Sequence, residues 1–314
     1  MTRIALVSFP GQQSAALLGL QDLFTIASRM SRAAGGVTLD TTLAHPVDLP
    51  AGCDIVILPP NISGARGAGD YALHRWLRDS HARGATLASV CGGAFWLGHA
   101  GLLDGRPVTT HWAPEEEFRA AFPAAHLQPE HILIDDHDIV TAGGLVAWTD
   151  LGLHVAGHLL GPDILTPTAR HLLIDPCSRD QSNWRSFRPC LGHGDPAILA
   201  PQHWAEANPA TDLSVAALAR RAAISARSLH RQFRAATGLA PNAYVQALRI
   251  EKARGHLERR RMAVADIAFA TGYADTAAFT RLFRATTGLT PSDYRTRFSV
   301  LRPAAAPCAQ QISP

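Results

Sequence analysis

The sequence predicts an α/β domain with a mostly parallel sheet, followed by an all-α domain of two helix-turn-helix units. Three observations support this prediction. Short apolar runs alternate with helical stretches through residues 1–175, which is typical of a parallel sheet covered by helices. One twelve-residue pattern occurs twice in the last third of the chain, fifty residues apart. The charge also changes sign: residues 1–200 hold 13 Lys and Arg against 19 Asp and Glu, whereas residues 201–314 hold 16 against 7.

The predicted strands of the first domain are Ile4–Phe9, Asp54–Leu58 and Thr86–Val90. Each is an almost continuous apolar run, as expected for a strand that is buried on both faces of a parallel sheet. Ala15–Ser31 and Ala68–Ala82 lie between these strands and are predicted to be helices. Residues 1–180 should therefore form an α/β sandwich.

A cysteine stands where the third predicted strand turns into a helix. Ser89, Cys91 and Gly93 have the Ser-x-Cys-x-Gly spacing of a nucleophile elbow, a turn so tight that its neighbours must be small. A thiol at a helix N-terminus is expected to have a lowered pKa, because the helix dipole favours the thiolate. His111 follows Cys91 by twenty residues and is the candidate base.

The repeated pattern covers residues 233–244 and 283–294, which agree at eight of twelve positions. Both copies end in Gly-Leu-x-Pro-x-x-Tyr, and each belongs to a pair of short helices with an exposed polar second member. Two such helix-turn-helix units with Arg-bearing helices predict contact with nucleic acid at two places. The predicted helices are Leu213–Ala222 with Ser214 as its cap, a helix capped by Ser225 and ended at Thr237 by Gly238, Val264–Thr271, and Thr276–Thr287 with Asp275 as its cap.

The second helix of each unit has an apolar side and a polar side. Leu229 and Phe233 share the buried side of the first copy, and Phe279 and Phe283 share that of the second. The opposite sides carry the candidate DNA contacts, since arginine commonly binds guanine and Thr or Ala methyl groups can meet thymine methyls. These contacts are Arg227, His230, Arg231, Arg234, Thr276, Ala277, Thr280, Arg281 and Arg284.

The second copy contains a longer set of motif residues. They are Asp266-Ile267-Ala268, Gly272-Tyr273, Phe279-Thr280-Arg281, Phe283-Arg284, Gly288, Thr290-Pro291 and Tyr294-Arg295. With this set, residues 205–302 resemble the DNA-binding domain of AraC/XylS-type transcriptional regulators. The resemblance implies a linker helix over about Pro241–Glu258. It also implies that all nine candidate contacts except Arg234 and Arg284 face the bases.

The first domain has motif residues of its own. They are Cys91-Gly92-Gly93-Ala94, Ala100-Gly101-Leu102-Leu103-Asp104-Gly105, Thr110-His111-Trp112, Gly143-Gly144 and Asp150. They resemble the ThiJ/PfpI superfamily, relatives of class I glutamine amidotransferases, and in particular the GlxA-like branch fused to AraC-type domains. The resemblance implies a flavodoxin-like α/β sandwich. It also implies that a carboxylate of the first helix meets the cysteine, and Asp22 holds the matching place.

Three interpretations of Cys91 remain open. It is a catalytic nucleophile with His111 as base and Asp22 as proton partner, or it lines a ligand pocket at the carboxyl ends of the strands, or it is an inherited, inert residue. Hydrolytic members of the superfamily often place a histidine directly after the cysteine. Here Gly92 follows instead, and Leu20 replaces a common proline of the first helix. The substitution by Gly92 counts against protease-type chemistry.

The remaining segments predict the setting in which the two domains work. Residues 181–204 are predicted to be a hinge and residues 303–314 a disordered tail, because both are rich in Pro with Gly or Ala. Five cysteines without a CxxC pair fit a reducing compartment. The chain begins without a signal-peptide pattern and has no run of eighteen apolar residues, so a cytoplasmic protein without a membrane contact is expected. Cys177, Cys190 and His193 match no common metal-site spacing, so neither a metal nor a cofactor is expected.

The function expected from these features is sequence-specific DNA binding that controls transcription, without enzymatic turnover. The first domain would sense a small-molecule effector or hold two copies together as a homodimer. The expected partners are double-stranded DNA, RNA polymerase, the effector and a second copy of the chain. The alternative is an enzyme, a cysteine-dependent amidohydrolase or deglycase joined to a DNA-binding module.

Overall fold

The computed structural model describes residues 1–50, 52–64, 66–175, 181, 184, 186–259 and 262–299. It divides into two compact units, Met1–Ser182 and Asn183–Pro314. The second unit thus begins in the segment predicted as a hinge, well before residue 205. Cys177, Cys308 and the predicted tail over residues 303–314 lie outside the described residues.

The first unit contains a six-stranded sheet in the order β2-β1-β3-β4-β8-β7. Its strands are parallel except for the antiparallel pair β7 and β8, which confirms the mostly parallel sheet. A separate parallel pair joins β5 to β6. The strands are β1 (Thr2–Val7), β2 (Leu39–Ala44), β3 (Ile55–Leu58), β4 (Thr86–Val90), β5 (Pro107–Val108), β6 (His126–Leu127), β7 (Leu133–Asp136) and β8 (Ile139–Ala142).

Both faces of this sheet are buried. Ile4 and Leu6 of β1 belong to one apolar core, while Ala5 and Val7 belong to the other. This alternation explains why β1 has no polar face and why its sequence is a continuous apolar run. The helices of this unit are α1 (Ser14–Ala33), α2 (Tyr71–Ala82), α3 (Ala94–His99), α4 (Glu115–Ala121), α5 (Trp148–Leu160) and α6 (Pro162–Leu172).

The second unit is helical throughout its described residues, apart from the connections. All four predicted helices of the two helix-turn-helix units are present within one residue of their predicted ends, apart from the start of the first. Ser214, Ser225 and Asp275 cap them as predicted, by accepting hydrogen bonds from backbone N–H groups of the first turn. The helices are α7 (Pro196–Ala207), α8 (Val215–Ala222), α9 (Ala226–Thr237), α10 (Pro241–Arg259), α11 (Val264–Ala270), α12 (Thr276–Thr287) and α13 (Pro291–Phe298).

The prediction of an irregular hinge is wrong for the residues that form α7. Asp195 caps this helix through a hydrogen bond from the Ala197 N–H, and Pro196 occupies the first helical position, where a proline fits because that N–H has no helical partner. Ile198 is fully buried in the core of the first helix-turn-helix unit, which also contains Phe233. The tertiary contact of an apolar side chain therefore overrides the local signal of the prolines.

Candidate functional site

The repeated turn fixes the ends of α9 and α12 by the same hydrogen bonds. The Thr237 hydroxyl donates to Phe233 O over 2.7 Å and accepts from the Leu239 N–H over 3.2 Å. The Thr287 hydroxyl does the same with Phe283 O and Leu289 N, over 2.8 and 3.3 Å. Gly238 and Gly288 have φ values of 74° and 75°. Threonine and glycine are thus repeated because each turn needs a local acceptor and a left-handed residue.

The repeated tyrosine anchors the helix that follows each turn against the helix that precedes it. The ring of Tyr244 meets Phe233 edge to face at 5.0 Å, and Tyr294 meets Phe283 at 5.4 Å. Both hydroxyl groups have partners: Tyr244 Oη accepts from Gln202 over 3.3 Å, and Tyr294 Oη donates to Glu258 over 2.8 Å. Burial raises the pKa of Tyr244 to about 12, so this hydroxyl stays protonated. Each aromatic pair holds a helix end in the core while the polar side of that helix stays outside.

The structure places all nine predicted DNA contacts on the outer sides of α9 and α12. Seven are exposed and two, Thr276 and Thr280, are half-buried. Within the described residues, none of the nine side chains makes an intramolecular hydrogen bond or ion pair. The opposite sides of α9 and α12 are buried, since Leu229, Phe233 and Phe279 are at most 1% exposed. The outer sides therefore offer unpaired guanidinium groups and small side chains, which suit phosphate and base contacts.

Other arginines of the second unit are occupied in holding it together. Arg249 donates to Pro209 O and to Thr211 O, each over 3.0 Å. Arg254 is 4% exposed and lies over the Tyr294 ring at 5.6 Å, and Arg295 donates to Met262 O over 2.6 Å. The fifty-residue repeat pairs Arg231 with Arg281 and Arg234 with Arg284 in the sequence. For arginines outside the repeat, the sequence did not show which ones make structural hydrogen bonds and which ones are unpaired.

The elbow at the end of β4 is present and is as tight as predicted. Cys91 has a φ of 53°, in the left-handed region that side chains rarely adopt. Cys91–Gly93 forms one 3₁₀ turn, and α3 begins at Ala94. A Cβ atom at Gly93 would lie 2.7 Å from Leu58 O, so a residue with a side chain would push the turn away from β3.

The predicted lowering of the Cys91 pKa is wrong. Burial raises the pKa of the thiol to about 11, although the Gly92 and His111 N–H groups and the charge of Arg66 oppose that rise. The thiol is 7% exposed and belongs to the apolar core under α1 and α5. Desolvation disfavours the thiolate more than one short turn of N–H groups can favour it. Cys91 is consequently a protonated thiol at neutral pH.

His111 is held in an orientation that does not make it the base for this thiol. Its Nδ1 accepts a hydrogen bond from the Ala113 N–H over 3.0 Å, so Nδ1 is unprotonated and the neutral ring carries its proton on Nε2. Burial lowers the pKa of the ring below its usual value, so the neutral form persists at neutral pH. Within the described residues, the ring makes no hydrogen bond to Cys91 Sγ.

Asp22 does not meet the cysteine, and the expectation of a pocket carboxylate there is wrong. Its side chain is exposed, while Leu20, Leu23 and Phe24 are at most 1% exposed on the buried side of α1. The apolar stripe sets which side of a helix faces the sheet, and Asp22 lies off that stripe. The relay of Cys91, His111 and Asp22 is therefore not assembled.

Other residues surround the elbow. The Thr110 hydroxyl donates to Cys91 O over 2.6 Å, and Asn61 lies 3.6 Å from the place of a Cβ at Gly92. Arg66 makes a bidentate ion pair with Glu117 over 2.9 and 3.0 Å. Asn61 and Arg66 follow β3 in the chain, and the carboxyl ends of neighbouring parallel strands meet at one edge of a sheet. The position of Asn61 soon after β3 could therefore have predicted that it lies near the elbow. Arg66 lies further along the same loop, where the sequence has no recognisable motif.

Two family models match the chain. The model described as a helix-turn-helix domain matches residues 218–297, and that of the DJ-1/PfpI family matches residues 30–157. In Rhizobium meliloti, the HTH-type transcriptional regulator GlxA is 32% identical over 232 residues, covering 73% of this chain and 71% of that protein. In Pseudomonas aeruginosa, the regulator CdhR is 29% identical over 237 residues, covering 75% and 70%. A crystal structure of an AraC family transcriptional regulator from Pseudomonas putida covers 55% of this chain and 100% of its own, at 18% identity and a TM-score of 0.45.

The chain therefore belongs to the family of HTH-type transcriptional regulators that combine a DJ-1/PfpI domain with an AraC-type helix-turn-helix domain. This confirms the resemblance predicted from the motif residues, and with it a DNA-binding regulator of transcription. Among the described residues, no helix is both long and apolar enough to cross a membrane. In the same residues, no group of three or more His, Cys, Asp or Glu side chains could hold a metal ion.

Proposed function

We propose that this regulator contacts DNA through nine side chains and responds to a small molecule bound beside Cys91. The observation that supports the first part is the pair of helix sides, α9 and α12, whose outward side chains lack intramolecular partners within the described residues. The net charge of residues 201–314 is +9, which favours the approach to a phosphate backbone. The same helix pattern repeated fifty residues apart supports two contacts with one duplex.

The division of labour between the contacts follows from their chemistry. Arg227, His230 and Arg231 of α9 can donate hydrogen bonds to guanine or to phosphate. Thr276 and Ala277 of α12 are small enough for a close approach to thymine methyl groups. We therefore expect α9 of the first helix-turn-helix unit to select guanine-containing steps and α12 of the second helix-turn-helix unit to select a step with thymine.

The test is selection of duplexes from a random library by the full chain, followed by footprinting of the selected site. Two protected major-groove segments on one face of the duplex, about 34 Å apart, are expected. A double variant with Arg231→Ala and Arg281→Ala should lose this selection, while Arg259→Ala serves as a matched control outside the two helices. Selection of no common sequence by the wild-type chain would contradict the proposal.

The ligand role of the first unit is supported by the elbow and its surroundings. Cys91, Asn61 and Thr110 lie at the carboxyl edge of a parallel sheet, where open α/β folds bind small molecules. The enzyme alternative loses its main support, because the thiol is protonated and His111 is not placed as its base. If the chain turns over amide or glyoxal substrates and Cys91→Ser abolishes this turnover, the enzyme alternative would be supported. A change in DNA affinity caused by a metabolite would favour the sensor.

We infer that two copies assemble through the first unit, that RNA polymerase is a partner and that the protein works in the cytoplasm, where its DNA lies.

Three apolar side chains support an interface near α1. Leu18 is 57% exposed, and Leu145 and Val146 are 41% and 55% exposed. They adjoin Gly19 and Trp148, which pack together. Light scattering should give a dimer that Val146→Glu converts to a monomer, whereas Val47→Glu, at another exposed site, should leave it intact.

A further inference from the structure

Arg66 of the first unit is held in one place by two different contacts. Its guanidinium group makes a bidentate ion pair with Glu117 of α4, with N–O distances of 2.9 and 3.0 Å. The same group lies over the ring of Phe95, 4.7 Å from the ring centre. This ring is 1% exposed, so the cation is held against a fixed apolar surface. The two parallel hydrogen bonds also fix the plane of the guanidinium group.

These contacts place the cation beside the elbow. Phe95 is the second residue of α3, and the turn Cys91–Gly93 directly precedes that helix. Arg66 belongs to the connection between β3 and α2, and Asn61 of the same connection lies 3.6 Å from the place of a Cβ at Gly92. Two residues that follow β3, Asn61 and Arg66, thus approach the elbow. The charge of Arg66 accordingly acts on the thiol and lowers its pKa against the effect of burial.

The elbow itself offers hydrogen-bond donors to an occupant. The backbone N–H groups of Gly92 and His111 both donate to the Cys91 sulfur. The neutral His111 ring carries its proton on Nε2, because Nδ1 accepts from the Ala113 N–H. Within the described residues, no carboxylate makes a hydrogen bond with the thiol, and Asp22 is exposed. The site therefore presents N–H groups and a cation, which together suit an acceptor with a negative charge.

Glu117 occupies the position on Arg66 that an external acceptor would take. Its side chain is 51% exposed and belongs to the first turn of α4. An ion pair with such an exposed carboxylate contributes little to stability, because water and salt screen it. A ligand carboxylate can therefore replace Glu117 at low cost. The contact with Phe95 would keep the cation in place during this exchange.

We propose that the effector beside Cys91 carries a carboxylate group and that Arg66 binds this group in exchange for Glu117. The rest of the small molecule then lies over the thiol, within reach of the N–H groups of the elbow. The proposal rests on the proposed effector response and assigns the chemical class of the effector. Residues 1–200 hold 13 Lys and Arg against 19 Asp and Glu. Because this half of the chain is acidic, a preference for an anion must arise from groups close to the site.

The first test compares two alkylating reagents that differ in one charge. Iodoacetate carries a carboxylate, and iodoacetamide is its neutral counterpart. With both, the Cys91 thiolate attacks the carbon that bears iodine, a C–S bond forms and iodide leaves. The ratio of the two rates does not depend on the fraction of thiolate, because both reagents react with the same thiolate at one pH. Mass spectrometry of the peptide that contains Cys91 gives both rates in the full chain, and the chain unfolded in urea gives the reference ratio.

The ratio of the iodoacetate rate to the iodoacetamide rate should be higher in the folded wild type than in the unfolded reference. Arg66→Gln should lower it by at least about fivefold, because charge-assisted hydrogen bonds to the reagent are lost. Arg66→Lys should retain part of the preference, since the charge remains without the planar fork. Glu117→Gln should raise the ratio about twofold by removing the competing carboxylate. Glu115→Gln is the matched control, because it removes the same charge from the same helix and Glu115 pairs with Arg119 instead.

Two results would overturn the proposal. An equal ratio in the wild type and in Arg66→Gln would exclude Arg66 as the group that binds the carboxylate. An equal rise in Glu117→Gln and in Glu115→Gln would exclude the exchange. Thermal unfolding shows which variants keep the first unit folded, and if Arg66→Gln does not, Arg66→Lys and Glu117→Gln decide between the same outcomes.

The second test measures reversible binding, at an ionic strength held constant with chloride. Acetate should protect Cys91 from iodoacetamide in the wild type, at about twofold lower concentration in Glu117→Gln, and not in Arg66→Gln. Acetamide, its neutral counterpart, should protect none of these chains. Better protection by inorganic phosphate than by acetate would overturn the assignment of a carboxylate. If protection is as expected but no carboxylate changes the affinity for the selected duplex, the proposed effector response is contradicted and the anion site stands.

Discussion

At the scale of single residues, the surroundings decide what a side chain can do. Arg231 and Arg254 have the same chemistry and opposite surroundings. The former is exposed and lacks an intramolecular partner within the described residues. The latter is 4% exposed and lies over an aromatic ring of the core. Cys91 shows the same principle, since an apolar core reverses the pKa shift that the turn alone would cause.

Arg231→Ala should weaken binding to the selected duplex by about 1–3 kcal/mol and relax discrimination at one base step. The reason is that an unpaired guanidinium on α9 can make a bidentate contact with one guanine. Affinities measured for the selected duplex and for each single-base variant test this. A uniform loss across all sequences would make Arg231 a phosphate contact instead. Arg259→Ala is the control, because that side chain donates to Gly255 O on α10.

Alkylation of Cys91 should increase with pH up to about 11, the value to which burial raises the pKa of this thiol. An unfolded thiol has a pKa of about 8.5. The unfolded chain therefore loses this proton first, so the stability that depends on it is complete below about pH 8.5 and falls as the pH rises towards 11. Denaturant unfolding at a series of pH values should show this slope in the wild type and less of it in Cys91→Ser. A thiol that titrates below about pH 8.5 would contradict the buried assignment.

At the scale of elements, the repeated sequence is explained by a repeated turn. Thr237 and Thr287 accept from the second residue after them, and Gly238 and Gly288 take left-handed conformations. Tyr244 then packs in the core of the first helix-turn-helix unit, beside Phe233. The repeat is therefore a structural requirement of the helix end, while the outward side chains of α9 and α12 differ between the copies. Under the proposed function, this difference would let one fold contact two different half-sites.

Gly238→Ala should destabilise the second unit by about 1–2 kcal/mol, because alanine is strained at a φ of 74°. No atom lies within 4 Å of the added Cβ, so the loss isolates backbone strain from any clash. Thermal unfolding and DNA affinity should both respond. Gly35→Ala is the matched control, since Gly35 has a φ of 78° and an equally open surrounding, but lies in the first unit. It should lower the stability of the first unit while leaving the DNA affinity of the full chain unchanged.

At the scale of the whole molecule, the division of charge follows the division into two units. Of the 29 Lys and Arg residues in the chain, 16 lie in residues 201–314, within the second unit. The structure moves the start of this unit to residue 183. Phe187 belongs to its core, with its ring meeting Tyr244 at 5.1 Å. A fragment that begins at Pro196 would lack this contact.

A fragment of residues 183–302 should bind DNA by itself, with an affinity that falls steeply with salt as counterions are released. The fragment of residues 196–302 should bind similarly but unfold at a lower temperature, since it loses Phe187 and its hydrogen bond to Glu251. Fluorescence anisotropy at several salt concentrations and thermal unfolding provide the measurements. A folded 183–302 fragment without salt-sensitive binding would contradict the assignment of DNA contact to this unit.

The sequence by itself determined several of the elements, among them both helix-turn-helix units, and the outward sides of α9 and α12. Strand β4 and helix α12 have the predicted bounds, because apolar periodicity and capping residues are local signals. The turn at Cys91 was also predictable, since small neighbours at fixed spacing are visible in the chain. Helix α7 was not, because Ile198 becomes buried only when distant helices supply a core.

Only the tertiary structure decided what the first unit can do at its elbow. The pKa of Cys91 depends on how many apolar groups of α1 and α5 exclude water from the thiol. Asp22 is exposed because the apolar residues of α1 face the sheet and Asp22 lies on another side of that helix. The hydrogen bonds of Gln181 join residues that are 50 to 72 positions apart in the chain. No local pattern records such a contact, because a pKa and a buried amide depend on groups that folding brings together.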